Sequence, residues 1–102
     1  MINTPGNYLY NDLSRGLPNK RINVSRKIKL IWDFRGPTAK EIAKHHEKHL
    51  KDYIVAEKLS LNITGTTQLS SMHSIAYLVV EEVNMLKVRD ALLPHRGEVY
   101  SN

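Results

Sequence analysis

A break at Gly36 and Pro37, followed by one long helical pattern from Thr38 to Lys58, constrains this chain more than anything else in it. Thr38 and Glu41 have the T-x-x-E spacing of a capping box, in which side chains satisfy the orphan backbone donors of a helix start. Pro37 at the first helical position is an alternative start, because its missing N–H is not needed there. Ala39, Ile42, Ala43, Leu50 and Tyr53 then recur at three- and four-residue steps. At about 100° per residue these fall on one side of a cylinder and give the helix an apolar stripe. His46 lies within that stripe, His49 at its border, and His45 on the flank with Glu41 and Asp52. Lys40, Lys44, Lys48 and Lys51 interleave with Glu41, Glu47 and Asp52 on what reads as a solvated face.

The stretches around this helix read as strands. Ile28, Leu30, Trp32 and Phe34 alternate with Lys27, Lys29, Ile31 and Asp33, the period-2 pattern of a sheet with one drier face. Leu59, Leu61 and Ile63 alternate again, and this run extends through Gly65 to Leu69, with Gly65 marking a bulge or bend. Ser70 to His73 suits a hairpin connection. Ser74 to Glu81 is apolar on both faces and belongs in the middle of a sheet. Asn84 can cap a second helix with Met85, Val88, Ala91 and Leu92 inward, and Pro94 ends it. Gly97 to Tyr100 is a short edge strand.

The order β-α-β-β-α-β predicts an α+β, ferredoxin-like fold, a four-stranded antiparallel sheet with two helices on one face. The other face then lacks a cover, and its apolar residues would form an exposed patch of the kind that meets a partner. A second copy of the chain is the simplest partner, so a homodimer is expected. The element order and the closing stretch from Val88 to Tyr100, a short helix, a Pro94 stop and a terminal strand, carry a family likeness. Over residues 27–102 the chain resembles the dimeric α+β barrel group of small ferredoxin-like proteins. That resemblance implies the fold and the pairing of two copies. It supplies no catalytic motif, because the group spans monooxygenases, isomerases, stress-response proteins and members of no known activity.

With 102 residues the expected organisation is one domain, residues 27–102, preceded by a flexible basic arm over residues 1–26. The net charge is +5, and residues 1–26 hold +3 of it through Arg15, Lys20, Arg21 and Arg26 against Asp12. Four unclustered charges argue against nucleic acid as a partner. No apolar run approaches the ~20 residues that span a bilayer, and the first residues lack the apolar core of a secretory signal. Cysteine is absent, which excludes disulfide and thiolate chemistry and fits a cytoplasmic location.

Three constellations could carry chemistry. His45 and His49 stand at i, i+4, and Asp52 or Glu41 can add an oxygen, a set suited to a divalent transition metal. His73 or His95 could complete the set. The plain alternative is a solvated His45, a border His49 and a capping Glu41. His46 could act as a general base or hydrogen-bond donor in a small-ligand pocket with Trp32, Tyr53 and Arg35, or be an ordinary core histidine. The corner Asp33-Phe34-Arg35-Gly36-Pro37 could bind an anion beside a helix N-terminus, or Arg35 could simply pair with Asp33 or Glu98. His95 and Arg96 could close the same region.

Overall fold

Alternation along the first strand decides how the layers assemble. The computed structural model describes residues 26–101. Its elements are β1 (Lys27–Arg35), α1 (Ala39–Glu57), β2 (Ile63–Ser70), β3 (His73–Glu81), α2 (Glu82–Leu92) and β4 (Arg96–Tyr100). The strands form one antiparallel sheet in the order β2-β3-β1-β4. This is the ferredoxin-like α+β arrangement.

Register places Ile28 opposite Val80, Leu30 opposite Leu78 and Trp32 opposite Ala76. These residues share one core with Ala43, Leu50 and Ile54 of α1 and with Met85 and Val88 of α2. Both helices therefore cover the same face of the sheet. Each fully buried Leu, Ile or Val there contributes about 1.5–3 kcal/mol. Thr64 adds a polar tie between layers, donating its hydroxyl to Glu47 Oε2 at 2.8 Å.

Several local details differ from the sequence reading. The capping box does not form: Thr38 occupies the N-cap of α1 without a side-chain cap bond, and Glu41 is exposed. Backbone groups start the helix instead, with Ala39 N–H donating to Gly36 O at 3.1 Å. Ile42 is 45% exposed, so the buried stripe is Ala39, Ala43, Leu50 and Ile54. Leu59 belongs to the helix stop rather than to a strand. Lys58 turns left-handed at φ 54°, Leu59 N–H reaches Ile54 O at 3.0 Å, and the Leu59 side chain packs on the core, as in a Schellman motif.

Gly65 is not the bulge. It pairs normally with Tyr77, and the register shift lies between Gln68 and Ser70. What Gly65 provides is close approach, because the Tyr77 ring lies where a Cβ would stand. Tyr77 in turn carries Lys29 Nζ over its ring, 4.3 Å from the centroid. Asn84 is not a cap either. The helix α2 begins directly after β3, with Glu81 at its N-cap, and Ala91 is exposed. Arg26, placed with the arm by the sequence reading, grips the first residue of α2 through Nε to Glu82 Oε1 (2.9 Å) and Nη2 to Oε2 (3.2 Å). The rest of the arm, residues 1–25, lies outside the described residues.

The second face of the sheet differs from expectation too. Ile31, Ile75 and Val79 point to it by alternation, yet each is at most 5% exposed. Around them stand Lys29, Asp33, Tyr77, His73 and Arg96 on the same face. Among the described residues this face presents no broad apolar patch. No helix among them is long and apolar enough to cross a membrane.

Candidate functional site

The antiparallel register brings three strand ends together at one end of the sheet. The last residues of β1 lie beside the first residues of β3 and of β4. Asp33 stands opposite Ile75, one diagonal step from His73. Ile31 stands opposite Arg96, so Arg96 is the diagonal neighbour of Asp33 on the other side. Long side chains span such diagonals, and here they do.

Asp33 is the centre of the resulting cluster. His73 Nε2 lies 2.7 Å from Asp33 Oδ1. Arg96 donates twice, from Nε to Oδ2 at 2.9 Å and from Nη2 to Oδ1 at 3.1 Å. The Asp33 and His73 side chains are each 17% exposed, and Arg96 is 36% exposed. Asp33 N–H donates to His95 Nδ1 at 2.7 Å, and His95 N–H donates to Ile31 O at 2.9 Å. The loop before β4 is thereby fixed against the edge of β1.

Burial alone would raise the Asp33 pKa. Hydrogen bonds from Arg96 and His73, together with their charges, outweigh burial and hold it below its ordinary value. Asp33 in return holds Arg96 firmly in the charged form. The ionised carboxylate can only accept, so His73 Nε2–H donates to Oδ1, and in the neutral form of that ring Nδ1 is the acceptor. A histidine whose tautomer is set by a carboxylate, with its other nitrogen basic, is the arrangement a general base requires.

The sequence-predicted residues divide into two groups elsewhere. His46 meets Trp32 (ring centroids 4.9 Å apart) and Phe34 (5.4 Å). Trp32 is itself anchored, its Nε1–H donating to Leu92 O at 3.0 Å. The Nε2 of His46 is buried without a hydrogen-bond partner among the described residues. Burial, with smaller effects from His49, His95 and His45, pushes its pKa below the ordinary value. Tyr53 is half-buried against the core. Arg35 is exposed, and Asp33 pairs with Arg96 rather than with it. The second group is His45 and His49, both exposed, with their Nε2 atoms 3.1 Å apart and their rings nearly perpendicular at 87°. Asp52 does not extend the pair: among the described residues no three of His, Asp and Glu converge as a metal-ligand set.

An orphaned buried nitrogen costs about 1–3 kcal/mol. His46→Leu should therefore stabilise the fold by about 1 kcal/mol at pH 8, where the wild-type imidazole is neutral. Urea unfolding followed through Trp32 measures this. A loss of stability would mean that the ring contacts to Trp32 and Phe34 outweigh the orphaned atom.

Comparison with known protein families, curated proteins and solved structures finds no match to this chain.

Proposed function

We propose that this protein is a small acid–base enzyme in which His73 removes a proton from a small anionic organic molecule. Asp33 orients His73 and sets its tautomer, while Arg96 fixes Asp33 and contributes positive charge beside the base. The observation that carries this reading is the Asp33 carboxylate, bound at 2.7 Å by His73 and from two nitrogens by Arg96. Partly buried charge networks are costly, and perturbed carboxylates of this kind concentrate where chemistry occurs. Arg35, opposite His73 in the register, adds positive charge at the Asp33 end of this face, while Glu81 and Glu98 lie toward its other end beside Lys27 and Lys29, so an anion is favoured at the Asp33 end.

The proton would pass from an acidic C–H of the substrate to His73 Nδ1 and return from there to carbon or to water. Exchange of that hydrogen for deuterium in heavy water is the corresponding assay, run over a panel of small carboxylic and phosphorylated acids. His73→Gln keeps a polar group near Asp33 but cannot take up the proton. It is expected to slow exchange by about 10²–10⁴-fold, the usual contribution of a positioned base. Equal exchange rates in both proteins, or no exchange above the solvent rate with any of the acids, would reject the reading.

A second reading keeps His46 as the acting group. Its support is the buried Nε2, which has no partner among the described residues and which a polar ligand group could satisfy. Ligand-induced shifts at Trp32 and His46 rather than at His73 in a nuclear magnetic resonance titration would favour it.

A further inference from the structure

His45 and His49 stand apart from the Asp33 cluster, and their geometry points to a different ligand. They are four residues apart on α1, a helix that runs without interruption from Ala39 to Glu57. At that spacing side chains share one face of a helix and meet. Here they meet through the two Nε2 atoms, 3.1 Å apart, with ring centroids at 4.6 Å.

A neutral pair can share one proton, with one nitrogen donating and the other accepting. The same placement suits two nitrogens bound to a single ion. Metal–imidazole bonds of about 2.0–2.1 Å hold neighbouring ligand nitrogens about 2.9 Å apart at a right angle and about 3.4 Å apart at a tetrahedral one. The observed separation lies between these two values, so the two nitrogens already stand at the spacing that one shared ion requires. Both imidazoles are exposed. An ion can therefore reach them and keep its remaining positions open to water or to an outside ligand. Imidazole suits zinc, copper and nickel and does not suit magnesium or calcium.

We infer that His45 and His49 form a two-histidine chelate for a divalent late transition-metal ion on the outer surface of α1. The site holds the ion by two protein ligands only, so it is an exchangeable, open-coordination site rather than a closed structural one. Occupancy clamps one turn of α1 and stabilises the folded chain by mass action. The inference is independent of the role assigned to His73.

Zinc chloride is the probe, titrated into the full chain without an affinity tag and followed by calorimetry. One equivalent should bind saturably in the micromolar range, and the melting temperature should rise with zinc. His45→Ala and His49→Ala should each weaken binding by an order of magnitude or more. The paired variant His45→Gln/His49→Gln should abolish both the binding and the thermal shift. Circular dichroism confirms that α1 remains in each variant, and both residues are exposed, so the fold is expected to persist. Zinc binding of unchanged affinity in the paired variant, or no saturable binding by the wild type, overturns the inference.

Discussion

Asp33→Ala is expected to destabilise the protein by about 2–3 kcal/mol at pH 7. The carboxylate is mostly buried and satisfies two side chains at once, three hydrogen bonds in all. Removing it leaves the Arg96 guanidinium and the His73 ring facing each other without the charge that holds them. Breaking a fully buried pair costs about 3–5 kcal/mol. Arg96 is 36% exposed, so water recovers part of that cost and the lower figure applies. The effect has a defined pH dependence. The folded Asp33 pKa lies below its ordinary 3.8, so the folded state favours the ionised form. Its contribution is fully present above that ordinary value and is lost as pH falls through the lower folded value. Urea unfolding of wild type and variant should show a gap that narrows steadily in acid below about pH 4. A gap of the same size at pH 7 and in strong acid would show that ionisation of Asp33 contributes nothing.

The fold was legible because hydrophobic periodicity is a strong signal. Alternation from Lys27 to Phe34, the two-sided apolar run from Ser74 to Glu81, and the stripe of Ala39, Ala43 and Leu50 each name an element and its buried side. Competing local interactions defeated the finer readings. The T-x-x-E spacing at Thr38 lost to a backbone start from Gly36. Leu59 looked like strand alternation because the apolar residue of a Schellman stop occupies the same kind of position. Asn84 looked like a cap because nothing local to Glu82 shows that Arg26, 56 residues earlier, will hold the true start of α2.

The Asp33 cluster was only half legible. Sequence proximity places Asp33 and Arg35 at one corner, with His95 and Arg96 able to close it, but it offers Arg35 either Asp33 or Glu98 as a partner and does not single out Arg96 for Asp33. Once the β-α-β-β-α-β order is accepted, the end of the first strand must lie beside the starts of the third and fourth. Polar residues at those three places share a face when their positions match in register. His73 and Arg96 meet that condition with Asp33, which makes the cluster a consequence of topology. The His45–His49 contact needed only helical spacing, which is why the sequence alone could anticipate it.

The Arg26–Glu82 pair tests where the folded unit begins. Arg26→Ala is expected to cost about 2 kcal/mol, because it leaves the Glu82 carboxylate, 2% exposed at its side chain, without its cation. The loss stays below that of a fully enclosed pair for two reasons. Arg26 itself is 36% exposed, and Glu82 is the first residue of α2, where the helix dipole favours negative charge. The backbone bond from Glu82 N–H to Arg26 O, 2.9 Å, survives the substitution and keeps the segment in place. Replacing both partners by apolar residues, as in Arg26→Met/Glu82→Leu, should recover most of the lost stability, because neither charge then remains to be solvated. A double-mutant cycle by urea unfolding separates the pair from simple loss of side-chain packing. If Arg26→Ala leaves stability unchanged, the folded unit begins at β1 and Arg26 contributes nothing to it. If the loss appears and the double substitution restores it, the anchor of α2 lies before the first strand, at a position that charge and composition had placed with the N-terminal arm.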